Sequence, residues 1–276
     1  MSSKDKTITR QQAGQFTQMC QYLGLKQLAG QYRQLLDQAS KEDPGYYEFI
    51  RQIVLSEAAE KKKRRVEYLI KQSRLPQPLK MLSGFDFDFQ KKLDRRLVMD
   101  LSSMEFIDRK ESILFIGNNG TGKSHLAQSL ALIACQKGYK TYYTTCSELI
   151  RDLNQGVFEK TLDKRIRKYI NCELLLIDEM GHDRLELQVV KEAHLLFKVI
   201  DQRYKQNKSL IFTSNIQEED WPEFLGDPIS TSAILDRIFH HSVIVNIYGP
   251  SYRKYQSELL QKKYGKEETQ THNEPG

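Results

Sequence analysis

Apolar positions fall into two regimes along the chain. Leu25, Leu28, Tyr32, Leu35 and Leu36 recur at helical spacing, which predicts an amphipathic helix. Asp43-Pro44-Gly45 interrupts it, and Tyr46, Phe49, Ile50, Ile53 and Val54 open a second stripe that continues towards Ile70. Leu75-Pro76-Gln77-Pro78 stops that helix, because proline cannot extend it and restricts the residue before it. From about Met99 short apolar runs alternate with helical patterns. Ile113–Ile116, Thr141–Thr144, Leu174–Ile177, Leu210–Thr213 and Val243–Ile247 read as buried strands, with helices such as Ser124–Gln136 and Val189–Tyr204 between them. That alternation predicts an α/β fold, a central parallel sheet flanked by helices and preceded by a small helical domain. The predicted division is 13–75 helical, 76–98 linker, 99–260 α/β and 261–276 polar tail, with residues 1–12 polar and frayed.

Composition narrows the picture modestly. The 276 residues carry a formal net charge of +6, which permits a nucleic-acid partner without demanding one. Cys20, Cys135, Cys146 and Cys172 form no C-x-x-C pair and have no histidine at zinc-ligand spacing, so free, mostly buried thiols in a reducing compartment are expected. The N-terminus has no apolar signal core, and no apolar run is long enough to span a bilayer, which predicts a cytosolic protein without a membrane partner.

The chemistry concentrates after the first strand. Gly117-Asn118-Asn119-Gly120-Thr121-Gly122-Lys123-Ser124 fits G-x-x-x-x-G-K-[ST] in full, between a strand and a helix. Glycines let the backbone wrap a phosphate with its N–H groups inward, and the helix N-terminus adds free donors. Lys123 is placed to reach the β- and γ-phosphates of ATP and Ser124 to ligate Mg²⁺, with His125 next in the loop-to-helix junction. Leu174–Ile177 is a continuous apolar strand that ends in Asp178-Glu179. Two acids there are costly unless something cationic or watery receives them. Asp178 is placed to hold the metal through water and Glu179 to polarise the attacking water; the plainer reading is a strand that surfaces in two solvated acids. Asn215, at the end of the next apolar strand, either orients that water or simply caps the strand.

Taken together these motifs resemble the AAA+ superfamily of P-loop NTPases. The C-terminal string Thr213-Ser214-Asn215, Trp221, Phe224, Gly226-Asp227-Pro228, Ala233-Ile234-Leu235-Asp236-Arg237, His240-His241 and Gly249-Pro250-Ser251-Tyr252-Arg253 resembles the IstB family of insertion-sequence helper ATPases, relatives of the helicase loader DnaC. The resemblance covers about residues 20–260. It implies that Arg237 is an arginine finger reaching the γ-phosphate of a neighbouring subunit, and that Arg253 contacts nucleotide within its own subunit. Asn118-Asn119 and Pro250 depart from the family pattern; the latter bears on the approach of Arg253. The resemblance also implies an ATPase that forms a homo-oligomer, binds duplex DNA without reading sequence, and recruits a transposase.

In Leu149–Tyr169 relatives carry extra helix facing a central channel. Here Lys160, Lys164 and Lys168 recur every fourth residue beside Arg165 and Arg167, a stripe suited to tracking phosphates or, more plainly, a solvated face balanced by Glu159 and Asp163. The run Lys61–Arg65 is open to the same two readings, and His240-His241 reads as structural. Other functions share the nucleotide motifs: a helicase loader, a nucleotide-gated scaffold with little turnover, and a small P-loop kinase.

Overall fold

The computed structural model describes residues 9–180, 189–216, 221 and 228–264. Phe224, Gly226, Asp227 and the tail beyond Tyr264 lie outside them. The chain divides into two compact units, residues 1–68 and 69–276.

The first unit is helical. Helix α1 (Arg10–Tyr22) starts inside the stretch expected to fray. A capping box explains it: Gln12 N–H donates to the Thr9 hydroxyl at 3.3 Å, and Thr9 N–H donates back to the Gln12 side chain at 3.0 Å. Helix α2 (Lys26–Glu42) follows and ends at Asp43 in the left-handed region, before Pro44. Its N-cap, Leu25, has no side-chain acceptor to offer. Glu57, buried on α3 (Tyr46–Ser73), takes that role and accepts from Leu28 N–H at 2.6 Å. Phe16 and Tyr32 meet edge to face at 5.1 Å. The unit boundary falls within α3, between Tyr68 and Leu69.

The second unit is a five-stranded parallel sheet, β1 (Ser112–Gly117), β2 (Thr141–Thr145), β3 (Leu174–Met180), β4 (Ser209–Ser214) and β5 (Ser242–Ile247), in the order β2-β3-β4-β1-β5. Successive side chains point to opposite faces of a strand. Leu114, Ile116, Leu175 and Ile177 therefore enter one core, and Ile113, Phe115, Leu174 and Leu176 the other. Each leucine buried in this way contributes about 2 kcal/mol. The first core is closed by α7 (Cys146–Phe158), α8 (Leu162–Ile170), α9 (Val189–Lys205) and α10 (Pro228–Phe239), through residues including Leu149, Ile166, Leu196 and Ile238. The second is closed by α6 (Lys123–Lys137) with α4 (Arg95–Leu101) and α5 (Glu105–Asp108). Helix α11 (Tyr252–Tyr264) follows β5.

Residues 76–98, expected as a linker, pack as part of this unit. Leu93 and Val98 are buried in the second core, and Leu79, Leu82, Phe85 and Phe87 lie against it. Arg203 of α9 is wholly buried and donates to the carbonyls of Tyr169 (2.7 Å), Cys172 (3.1 Å), Glu173 (3.0 Å) and Ser209 (2.6 Å). It thereby ties the end of α8 to the starts of β3 and β4. The four cysteines are free and buried. Among the described residues no helix is long and apolar enough to cross a membrane.

Candidate functional site

All five strands are parallel, so their C-terminal ends share one edge, where open α/β sheets bind ligands. Gly117, Asp178, Ser214 and Ile247 lie along it.

The loop between β1 and α6 is confined on two sides. Gly122 caps α6 at φ 102°, and a Cβ there would land 2.5 Å from the Phe85 ring. Gly120, at φ 81°, lies so close to Ser251 that a Cβ would collide with its hydroxyl. Both positions demand glycine, for conformation and for space. Tyr252 N–H donates to the Gly120 carbonyl at 2.9 Å, which fixes the start of α11 to the loop. Lys123 spans the loop and donates to the carbonyls of Gly117 (2.7 Å) and Asn118 (2.9 Å). Burial pulls its ammonium down to about 8, opposed by the Asp178 carboxylate and reinforced by Arg253.

Asp178, 1% exposed, collects donors from four elements. Its Oδ1 accepts from Ser124 at 2.8 Å, from the Thr213 hydroxyl, and from Glu179 N–H at 3.2 Å; its Oδ2 accepts from Gln128 at 3.2 Å and Tyr143 at 3.3 Å. Burial, then the nearby Asp178 and Glu179 charges, push the Tyr143 phenol well above its usual range, so it stays a donor. The neighbouring acid is placed quite differently. The β3–β4 register slips between Ile177 and Met180, so Asp178 and Glu179 together oppose Thr213. Glu179 takes φ 62°, a left-handed conformation rare for a non-glycine residue, and is exposed. Its N–H donates to the Thr213 hydroxyl at 2.9 Å. Thr213 thus grips both acids. Gln128 and Tyr143 escaped the sequence reading, and Thr213 entered it only as a strand end and part of the C-terminal string, with no role at the acids; Gln128 carried a faint signal, one helical turn beyond Ser124.

The remaining sequence-derived residues separate. Asn215 directly follows β4, its N–H donating to the Met180 carbonyl at 3.5 Å beside the bulge. Arg253 lies in the first turn of α11, and Gln90 donates to the Pro250 carbonyl just before it at 3.0 Å. His125 faces residues 81–85: its Nε2 is 2.9 Å from the Met81 carbonyl and its ring meets Phe85 edge-on. Arg237 lies away from the loop. It pairs with Asp201 at 2.9 Å, lies over Phe197, and shares a cavity of about 120 Å³ with Ser112, Leu210 and His241, residues at the N-terminal edge of the sheet. In α7 and α8 the basic stripe divides: Arg165 and Lys168 both pair with Asp152, and Arg165 also with Glu159, whereas Lys160, Lys164 and Arg167 are exposed.

The sequence matches known proteins along most of its length. Residues 18–259 fit the model of the IstB-like ATP binding protein family. The chain is 39% identical over 244 residues to the IS5376 insertion-sequence protein of Geobacillus stearothermophilus, named as an ATP-binding protein, and covers 88% of this chain and 95% of that one. It is 35% identical over 231 residues to the corresponding IS21 protein of Pseudomonas aeruginosa, with 84% and 85% covered. Among solved structures, AMPPCP-bound DnaA from Aquifex aeolicus superposes with a TM-score of 0.51 at 20% identity, over 70% of this chain and 57% of DnaA. DnaI superposes with a TM-score of 0.50 at 19% identity, over 66% and 98%. These two likenesses establish the AAA+ P-loop NTPase fold. With the loop, the acidic strand end and the C-terminal string all inside the matched span, the chain belongs to the IstB-like ATP-binding proteins of insertion sequences.

Proposed function

We propose that this protein hydrolyses ATP as a homo-oligomer on duplex DNA and there recruits and stimulates the transposase of its insertion sequence. The observation that carries the reading is the division of labour at the acidic strand end. Asp178 is buried and tied to Ser124, whereas Glu179 is turned out on a strained bulge. The Ser124 hydroxyl and the Asp178 carboxylate are an oxygen-only pair 2.8 Å apart, a donor set that suits a hard divalent cation. Magnesium would be held there, by Asp178 through water, and when bound it neutralises phosphate charge. Lys123 binds the β- and γ-phosphates, the loop N–H groups orient them, and Glu179 polarises the attacking water with Asn215 positioning it. Arg253 contacts nucleotide within its own subunit, and Arg237 completes the site of a neighbour. The names of the IS5376 and IS21 relatives support the insertion-sequence setting, and the exposed Lys160, Lys164 and Arg167 support a sequence-independent DNA contact.

Turnover measured against protein concentration, with and without duplex DNA, tests this. Activity per subunit should rise with concentration and with DNA. Lys123→Ala should abolish nucleotide binding; Arg237→Ala should bind nucleotide and lose most hydrolysis. Undiminished turnover in Arg237→Ala would refute completion in trans. Full transposition activity in Glu179→Gln would favour a nucleotide-gated scaffold instead.

A further inference from the structure

The apolar stripe of α7 outruns the core it serves. Leu149, Ile150 and Leu153 are buried against β3 and α9, but Val157 and Phe158, seven and eight residues beyond Ile150 and so on the same helical face, are 53% and 85% exposed. The turn that carries them is tied down at several points. Thr161 N–H donates to the Gly156 carbonyl at 2.8 Å and Glu159 N–H to Gln155 at 2.9 Å. Gly156 packs so tightly under α8 that a Cβ would sit 3.1 Å from Leu162 Cα. Arg165 bridges Asp152 on α7 to Glu159 in the turn. An aromatic ring is therefore presented to solvent on a fixed support, against the ordinary drive to bury it.

The surroundings of the tip define what it meets. Lys160 lies two residues beyond Phe158, and Lys164 and Arg167 follow on the outer face of α8, all three exposed. Of the two exposed acids in this stretch, Glu159 pairs with Arg165 and Asp163 lies in the first turn of α8. A flat apolar ring framed by cations is complementary to a polyanion that also offers flat apolar faces. We infer that Phe158, with Val157 beside it, packs against the bases of bound duplex DNA and unstacks a step, while Lys160 and Lys164 hold the flanking phosphates. The inference rests on the DNA-binding reading above and adds to it a contact with the bases that distorts the duplex without selecting sequence.

The test uses the full chain with a non-hydrolysable ATP analogue and a duplex carrying 2-aminopurine at successive positions. Wild-type protein should brighten the probe by unstacking it. Phe158→Ala, at an exposed position that does not threaten folding, should abolish the brightening and weaken binding about 10-fold. It should leave the slope of log affinity against log salt unchanged. Lys160→Ala and Lys164→Ala should each reduce that slope by about 1 and keep the brightening at saturating protein. Phe158→Trp should restore the signal. If Phe158→Ala binds and brightens like wild type, the inference fails while DNA binding itself stands; wild-type protein with no affinity for the duplex would sink the underlying reading as well. If Phe158→Ala instead impairs self-assembly and leaves DNA distortion intact, the tip meets protein and the inference is again overturned.

Discussion

Thr213→Val asks whether the two acids are set by one hydroxyl. Valine keeps the shape of threonine, so no cavity opens; what disappears is a donor to Asp178 Oδ1 and an acceptor for Glu179 N–H. A hydrogen bond to a charged group contributes about 1.5–3 kcal/mol and a neutral one about 1 kcal/mol. Glu179 N–H retains Asp178 Oδ1 at 3.2 Å, which softens the loss. The net cost should be about 2–3 kcal/mol, or about 5–10 °C in Tm for a unit of roughly 200 residues. The chain has one tryptophan, Trp221, buried in the first core, so its fluorescence reports unfolding of this unit. Nucleotide affinity should change less than about threefold, since Ser124, Gln128 and Tyr143 still hold Asp178. Turnover should fall about 10- to 100-fold. A left-handed non-glycine residue costs about 1–3 kcal/mol, and without the hydroxyl Glu179 relaxes out of it. Thr213→Ser should restore both properties. A Thr213→Val protein that loses stability yet turns over within twofold of wild type would show that the bulge does not position Glu179, and the reasoning would fail.

Two further perturbations probe buried cations. The Lys123 ammonium is held at about 8 against an ordinary 10.5, so its contribution to stability is complete above 10.5 and lost as pH falls through 8. Wild type should therefore gain on Lys123→Met by about 1–2 kcal/mol between pH 7 and pH 10, after discounting for solvent screening, in urea denaturation without nucleotide; a constant difference would refute the burial argument. Arg203→Met leaves the carbonyls of Tyr169, Cys172, Glu173 and Ser209 without their donor and should cost about 3–5 kcal/mol. A neutral effect there would mean that the cost of burying the guanidinium cancels the clamp.

The sequence revealed what depends on local pattern. A strand buried on both faces must be apolar at every position, so Leu174–Ile177 and Leu210–Phe212 announce themselves, and a phosphate loop is legible because strand, glycines and helix are contiguous. Helix α1 was hidden because a polar capping box starts it. Residues 76–98 read as a linker because their buried side chains, Leu93 and Val98, are too widely spaced to form a stripe. The bulge was beyond reach, since it is a mismatch of register between β3 and β4 and neither strand shows it alone. The basic stripe shows the same limit in its charges: helical spacing groups five cations, but Asp152, on the preceding helix, engages two of them.

The placement of Arg237 follows from the sheet itself. Ser112, which shares its cavity, starts β1, and Gly117 ends it; five residues at about 3.3 Å each separate the two ends by about 16 Å. A guanidinium held by Asp201 and stacked on Phe197 does not swing across that distance. If Arg237 stabilises a phosphoryl group at all, that group is bound by another copy of the chain. Rigidity then becomes an advantage, because a pre-set guanidinium needs no ordering when the neighbour arrives. The ion pair with Asp201 and the cation–π contact with Phe197 would pre-set such a finger, and under the function proposed above hydrolysis should then depend on assembly.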